Sequence, residues 1–153
     1  MSLRIKISAV TFGILLGCAK LWAEDPLKSA QQIASHALEA NGIRMRVAAE
    51  NMANSRSANY EPKSVIVTPQ VDRKTKVSSV KVQKITKDSK KQKRVYEPTH
   101  PQADEDGYVN MPDEDPLISM MNMQQARFDS ERAMKAYESA TDQRQRIIKM
   151  MNH

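Results

Sequence analysis

Apolar and polar positions change their period twice along the chain. Between Pro26 and Asn54, small and apolar residues recur at steps of three and four. Ala30, Ile33, Ala37, Ala40, Arg44, Val47, Asn51 and Asn54 follow one stripe, widened by Ala34, Leu38, Met45, Ala48 and Met52. That period predicts an amphipathic helix of about 27 residues, about 40 Å long at about 1.5 Å per residue. Pro26 and Ser29 supply its start signals, and Gly42 is the one glycine inside it. An Ala-rich stripe lets a second helix approach closely.

From Tyr60 the period becomes two. Val65 and Val67 alternate with Ser64, Ile66 and Thr68, and Val80 and Val82 repeat the pattern before Ile85. Short strands are expected there, joined by polar loops such as 72–76. The Lys-rich stretch 84–94 reads as an exposed, mobile loop. Residues 97–115 hold Pro98, Pro101 and Pro112, with Pro116 just beyond. Each proline fixes φ and removes a backbone donor, which excludes a regular helix or a central strand and predicts an extended, ordered connector.

The helical period returns at Asp115-Pro116, an acidic N-cap followed by a first-turn proline. Met123, Ala126, Ser130, Ala133, Tyr137, Ala140, Arg144, Ile147 and Met151 then step by three and four to the end, the seam of a coiled coil. Such a helix runs about 57 Å and needs a partner along its length. The expected fold is α+β and mainly helical: two long terminal helices paired as a coiled-coil stalk, with a strand-and-loop insert and a Pro-rich connector. The corresponding division is 1–23, 24–60, 61–96, 97–115 and 116–153. Two helices alone leave apolar stripes in water, so neighbouring subunits are expected to cover them, and a head-to-tail contact of that kind builds a tube or filament.

Charge adds a polarity to this picture. Residues 61–96 carry eleven Lys/Arg against Glu61, Asp72 and Asp88, whereas 97–115 carry seven acids and no Lys or Arg. Adjacent blocks of opposite sign suit contacts between like subunits, and equally suit two solvated surfaces. Cys18 is the sole cysteine, so no internal disulfide and no Cys-based structural zinc site can form.

The first residues read as an address. Arg4 and Lys6 precede an apolar run over 7–19, and Leu21-Trp22-Ala23 leads into Glu24-Asp25. That is the order of a secretory signal peptide, with cleavage after Ala23. Leu15-Leu16-Gly17-Cys18 also resembles a lipoprotein box, in which Cys18 is acylated. Cleavage, lipidation and an uncleaved segment all remain open, and all place the chain in a bacterial envelope. The run is short for a membrane span, so membrane contact is expected only through this segment, if it is uncleaved or lipidated.

Two motifs resemble flagellar rod and hook proteins. Asn51-Met52-Ala53-Asn54, continuing through Ser57 to Tyr60, is similar to the Asn-x-Ala-Asn-x-x-Thr-x-x-Tyr signature of the axial family, with Ser57 in the threonine position. The second motif runs through Tyr96, Pro98, His100, Pro101, Ala103, Gly107, Tyr108, Val109 and Pro112 to Asp115-Pro116. It resembles the connector of the FlgC type of rod protein. The resemblance spans roughly residues 27–151. In the C-terminal helix, Phe128 and Ser130 stand where that family has arginine and tyrosine.

The resemblance implies a proximal-rod subunit that stacks helically with its own copies and with other rod proteins, spans the periplasm and transmits torque for motility. Proteins of this type leave through the flagellar export apparatus, so a signal-like N-terminus departs from the pattern. Subunit packing is expected from Ile33, Ala37, Ala40, Val47, Asn51, Asn54 and Tyr60 in the first half. In the second half it is expected from Met123, Ala126, Phe128, Ala133, Tyr137, Ala140, Ile147 and Met151.

Catalysis, cofactors and metals are not expected. His36, His100 and His153 lack metal-ligand spacing, and His100 between Thr99 and Pro101 suits a hydrogen-bonded connector position. Asp104, Glu105 and Asp106 are neighbours in an extended segment, a poor arrangement for a divided acid and base. Nucleic-acid binding is not expected, because no aromatic residues lie among the lysines to stack bases. The competing reading is a stand-alone periplasmic coiled-coil adaptor or lipoprotein that binds anionic envelope polymers.

Overall fold

The computed structural model describes residues 25–73 and 75–152, so the signal-like segment, Cys18 and His153 lie outside the described residues. Two helices and four strands follow in the order α1 (Pro26–Ala53), β1 (Lys63–Val71), β2 (Ser78–Lys87), β3 (Gln92–Tyr96), β4 (Tyr108–Pro112) and α2 (Pro116–Met151). The class is α+β.

Both helices start by the same chemistry. The Asp25 carboxylate accepts the Leu27 N–H at 3.1 Å and the Asp115 carboxylate accepts the Leu117 N–H at 2.8 Å, each with a proline in the first turn. The cap satisfies an orphan donor, and the proline gives up an N–H that would have been unpaired there. At the far end of α1, the Asn54 backbone N–H and side-chain amide both donate to the Glu50 carbonyl, at 3.0 and 2.9 Å. Backbone carbonyls left over by the helix are thereby used.

The helices lie antiparallel. Asp25 faces Arg144 (3.9 Å), Gln31 donates to the Thr141 hydroxyl (2.8 Å) and Arg44 pairs with Asp129 (3.3 Å), so partner numbers fall on α2 as they rise on α1. Their contact is lined with small side chains. On α2, Ser119, Ala126, Ala133 and Ala140 are buried at steps of seven. On α1, Ala34, Asn41 and Ala48 are buried at the same step, with Ala40, Val47 and Asn51 alongside. Seven residues make nearly two turns, so such a series holds one face toward its partner. Ala126 is wholly buried (0 % exposed).

β1 and β2 form an antiparallel hairpin that lies against α1, with a register irregularity at Ile66/Val67. Its turn is closed by the Asp72 N–H donating to the Val77 carbonyl at 2.9 Å. β3 and β4 form a second antiparallel pair, from Gln92 opposite Pro112 to Tyr96 opposite Tyr108.

The stretch 84–94 is not the mobile loop its composition predicts. β2 runs to Lys87, Ser89–Lys91 make one 3-10 turn capped by the Asp88 carboxylate, and β3 begins at Gln92. Strand ladders occupy the backbone here while the lysines extend into water, so a charged composition coexists with regular structure. The Pro-rich stretch is also more regular than an extended connector, since it contains β4. Pro112 closes that strand at the end of a two-stranded sheet, a position where a missing N–H is tolerated.

Between β3 and β4 the chain makes a series of tight turns. Glu97 N–H donates to the Gly107 carbonyl, His100 N–H to Glu97, and Ala103 N–H to His100. Gly107 has φ +81°, and a Cβ there would sit 2.9 Å from the Tyr96 ring and 3.1 Å from Pro98. Both the left-handed backbone and the space require glycine. Tyr96 and Tyr108 meet edge to face at 5.3 Å, and the Arg94 guanidinium lies 4.6 Å over the Tyr108 ring.

Candidate functional site

The densest polar constellation sits where α1 ends, the strands begin and α2 starts. Asn51 is at its centre, on α1 and only 6 % exposed. Its Oδ1 accepts from the Tyr60 hydroxyl and from the Lys63 backbone N–H, both at 2.9 Å. Its Nδ2 donates to the Lys63 carbonyl at 2.8 Å and lies 3.4 Å from Glu114 Oε2. A carboxamide offers two acceptor sites and two donors, and all are used.

Each arm of this hub leads to a different element. Through Lys63 it fixes the first residue of β1. Through Tyr60, whose carbonyl accepts from Gln92 Nε2 at 3.0 Å, it reaches β3. Through Glu114, which accepts the buried Ser119 hydroxyl at 2.8 Å, it reaches the first turns of α2. Glu50 closes the periphery by pairing with Lys63 Nζ at 2.7 Å.

The charges are tuned accordingly. Burial pushes the Tyr60 phenol above its ordinary value, with Lys63 opposing and the Glu50 and Glu114 carboxylates acting in the same direction as burial. The Lys63 hydrogen bond holds Glu50 below the usual carboxylate range, and the same bond raises Lys63. In the turn between β3 and β4, the Tyr108 backbone N–H and then Arg94 lower Asp104. Asp104 is held by protein donors there, accepting from the N–H groups of Asp106 and Tyr108 and from Arg94.

The polar positions of the sequence motif thus acquire a physical role. Asn51 binds across elements, Asn54 caps α1, the Ser57 hydroxyl donates to Asn54 Oδ1 at 3.3 Å and Tyr60 returns to Asn51. Asn59 takes φ 60° and its N–H donates to the Asn110 carbonyl at 2.7 Å, tying the motif to β4.

The other expected packing residues are distributed more unevenly. Ala40, Val47, Ala126, Ala133 and Ala140 are buried. Ala37, Asn54 and Met123 are half-buried, whereas Ile33, Phe128, Tyr137, Ile147 and Met151 are exposed. Of the connector residues, Gly107, Val109 and Pro112 are buried, and His100 and Ala103 are half-buried. Tyr96, Pro98, Pro101, Tyr108 and Pro116 are exposed. His100 Nδ1 accepts the Gln102 N–H at 3.1 Å, a turn-forming contact.

Sequence reasoning missed Ser119, Asn41, Lys63 and Glu114. Ser119 continues the seven-residue series backward from Ala126 and was detectable by that spacing. Lys63 and Glu114 carry no local signal, because their partner Asn51 is distant in sequence. Among the described residues, no cluster of three or more His, Cys, Asp or Glu is placed to hold a metal ion, and no helix is long and apolar enough to cross a membrane.

No family model matches the chain. Individual relatives do. Over 109 residues the chain is 37% identical to a flagellar basal-body rod protein FlgC of Agrobacterium fabrum, an alignment covering 67% of this chain and 78% of the relative. The FlgC of Salmonella typhimurium is 36% identical over 100 residues, covering 61% and 75%. That of Bacillus subtilis is 31% identical over 113 residues, covering 60% and 75%.

Proposed function

The chain belongs to the FlgC family of flagellar basal-body rod proteins, and from that premise we propose how its helix pair serves the rod. It is a structural rod subunit, and its place is the flagellar basal body. In our reading, the α1/α2 pair is the stalk of the subunit and packs as a coiled coil. It stacks helically against further copies and other rod proteins, crosses the periplasm as part of the proximal rod and carries torque toward the hook. The five-part division of the chain follows the same logic, with the Asn51 hub locking insert and connector to the stalk.

One observation carries this reading. The buried positions of the helix pair are mostly alanines, with Asn41, Val47, Asn51 and Ser119, while large apolar side chains of α2 are exposed together: Leu117 is 60 % exposed, Met121 62 % and Phe128 54 %. A run of such side chains along one helix supports reading it as partner surface. The stand-alone adaptor reading is not retained, because the relatives are rod proteins.

The test is recovery of the chain from purified flagellar basal bodies by mass spectrometry. Presence of its peptides is expected, and the first peptide observed would assign the route of export. Basal bodies that form without the chain would remove the rod reading.

A further inference from the structure

The β1–β2 hairpin has a second face that nothing among the described residues covers. Ser79 points at α1, where its hydroxyl lies 2.9 Å from His36 Nδ1. Successive strand side chains alternate, so Val80 points the other way. Pro69 is directly opposite Val80 and Val67 opposite Val82, which gathers them on that outer side. Val67, Val71 and Val80 are 37 %, 56 % and 38 % exposed. Cations border this strip: Lys84, Arg73 and Lys76 are exposed nearby on β2 and in the turn. None of these three makes an ion pair among the described residues.

A surface of complementary chemistry lies at the opposite pole. The turn between β3 and β4 carries Glu97, Glu105 and Asp106, whose carboxylates make no ion pair among the described residues. Beside them Tyr96 is 63 % exposed. The hairpin turn sits by the start of α1, where Thr75 shares a depression with Lys28 and Gln31. The acidic turn sits beyond the end of α1, where Asn59 Nδ2 donates to Gln102 Oε1 at 3.2 Å. His36 and Asn54 alone are separated by about 27 Å along the helix axis at about 1.5 Å per residue. One molecule therefore cannot bring the two surfaces together.

We propose that the outer face of the β1–β2 hairpin docks the acidic β3–β4 turn of a second copy of this chain, with Tyr96 of that copy set against the valine strip and its carboxylates against Lys84, Arg73 and Lys76. This contact rests on the reading of the chain as a rod subunit and names one interface within it. Tyrosine is a favoured interface anchor, and opposite charges at the rim fix register and steer encounter. Because the two surfaces differ and lie at opposite ends, the contact is heterologous and propagates in one direction.

The experiment uses the full chain with Cys18→Ser, carrying either Val80→Cys or Glu105→Cys, treated with a short bismaleimide. A cross-linked dimer is expected in the mixture of the two variants and in neither alone. Paired with this, Arg73→Glu with Lys84→Glu should weaken self-association in sedimentation by about tenfold or more, and adding the Glu105→Lys/Asp106→Lys chain should restore it. A cross-link in Val80→Cys alone, or none in the mixture, overturns the contact. So does loss of incorporation into basal bodies without a mixed cross-link, which would place another rod protein on the hairpin. If the contact fails while the unmodified chain is still recovered in basal bodies, the rod reading stands. Absence of the unmodified chain from basal bodies defeats that reading independently.

Discussion

α1 and α2 start with the same Asp-Pro pair and share one seam, yet the rest of their surfaces differ. α1 is covered twice, by α2 on one side and by the β1–β2 hairpin on another, and among its large apolar residues only Ile33 is exposed, at 41 %. α2 buries only Ser119, Ala126, Ala133 and Ala140. It leaves Leu117, Ile118, Met120, Met121, Phe128 and Met134 exposed, and its last turns add Ile147, Ile148, Met150 and Met151. The lesson is a division of labour: α1 organises the subunit, while α2 joins the subunit at one face and leaves the remainder exposed.

The strongest way to break that comparison is to spoil the face the helices share. Ala126 is 0 % exposed, so Ala126→Glu would force a carboxylate into a contact with no room for it. Burying an unpaired charge or separating the helices to wet it should cost about 4 kcal/mol or more. Equilibrium urea unfolding should show the midpoint collapse, and an unchanged midpoint would mean that the helices do not pair through this seam.

A smaller loss is expected where α1 acts as organiser. Asn51→Ala removes bonds to Tyr60, Lys63 and Glu114 at once, leaving buried polar groups without partners. The expected cost is about 2–3 kcal/mol, because unmade buried hydrogen bonds are expensive even when made ones contribute modestly. Hydrogen exchange should locate the damage in β1 and the first turns of α2. Protection lost only at the end of α1 would contradict the bridging role.

These two sites differ in how far the sequence reveals them. The seam is periodic, so steps of three and four announce both helices, and Asp115-Pro116 announces the start of α2; the start of α1 is read from Pro26 and Ser29, whereas its cap is Asp25. α1 ends at Ala53 and α2 at Met151, close to the expected limits. Which stripe is buried is less legible. Ile33 is apolar and exposed while Asn41 is polar and buried, since close approach of two helices selects for size as well as polarity. The β3–β4 pair is obscured by lysines and prolines, which report on side chains and φ and not on ladder partners. The Asn51 hub was legible only in part, through Asn51 and Tyr60, because Lys63 and Glu114 join it by tertiary contact.

The finest test asks whether the outward face of α2 matters to the subunit at all. Phe128 lies 54 % exposed on the side away from Ala126, so Phe128→Ser removes little buried area. Within the isolated chain, stability should change by no more than about 0.5 kcal/mol, as for other surface substitutions. Within basal bodies the same change should lower recovery of the chain, because a large apolar side chain that is idle in one subunit gains its burial against the next. The two measurements must diverge for the division of labour to hold. A variant that unfolds early would show that Phe128 packs within its own subunit, and a variant recovered normally would show that this stretch of α2 faces water in the assembled rod.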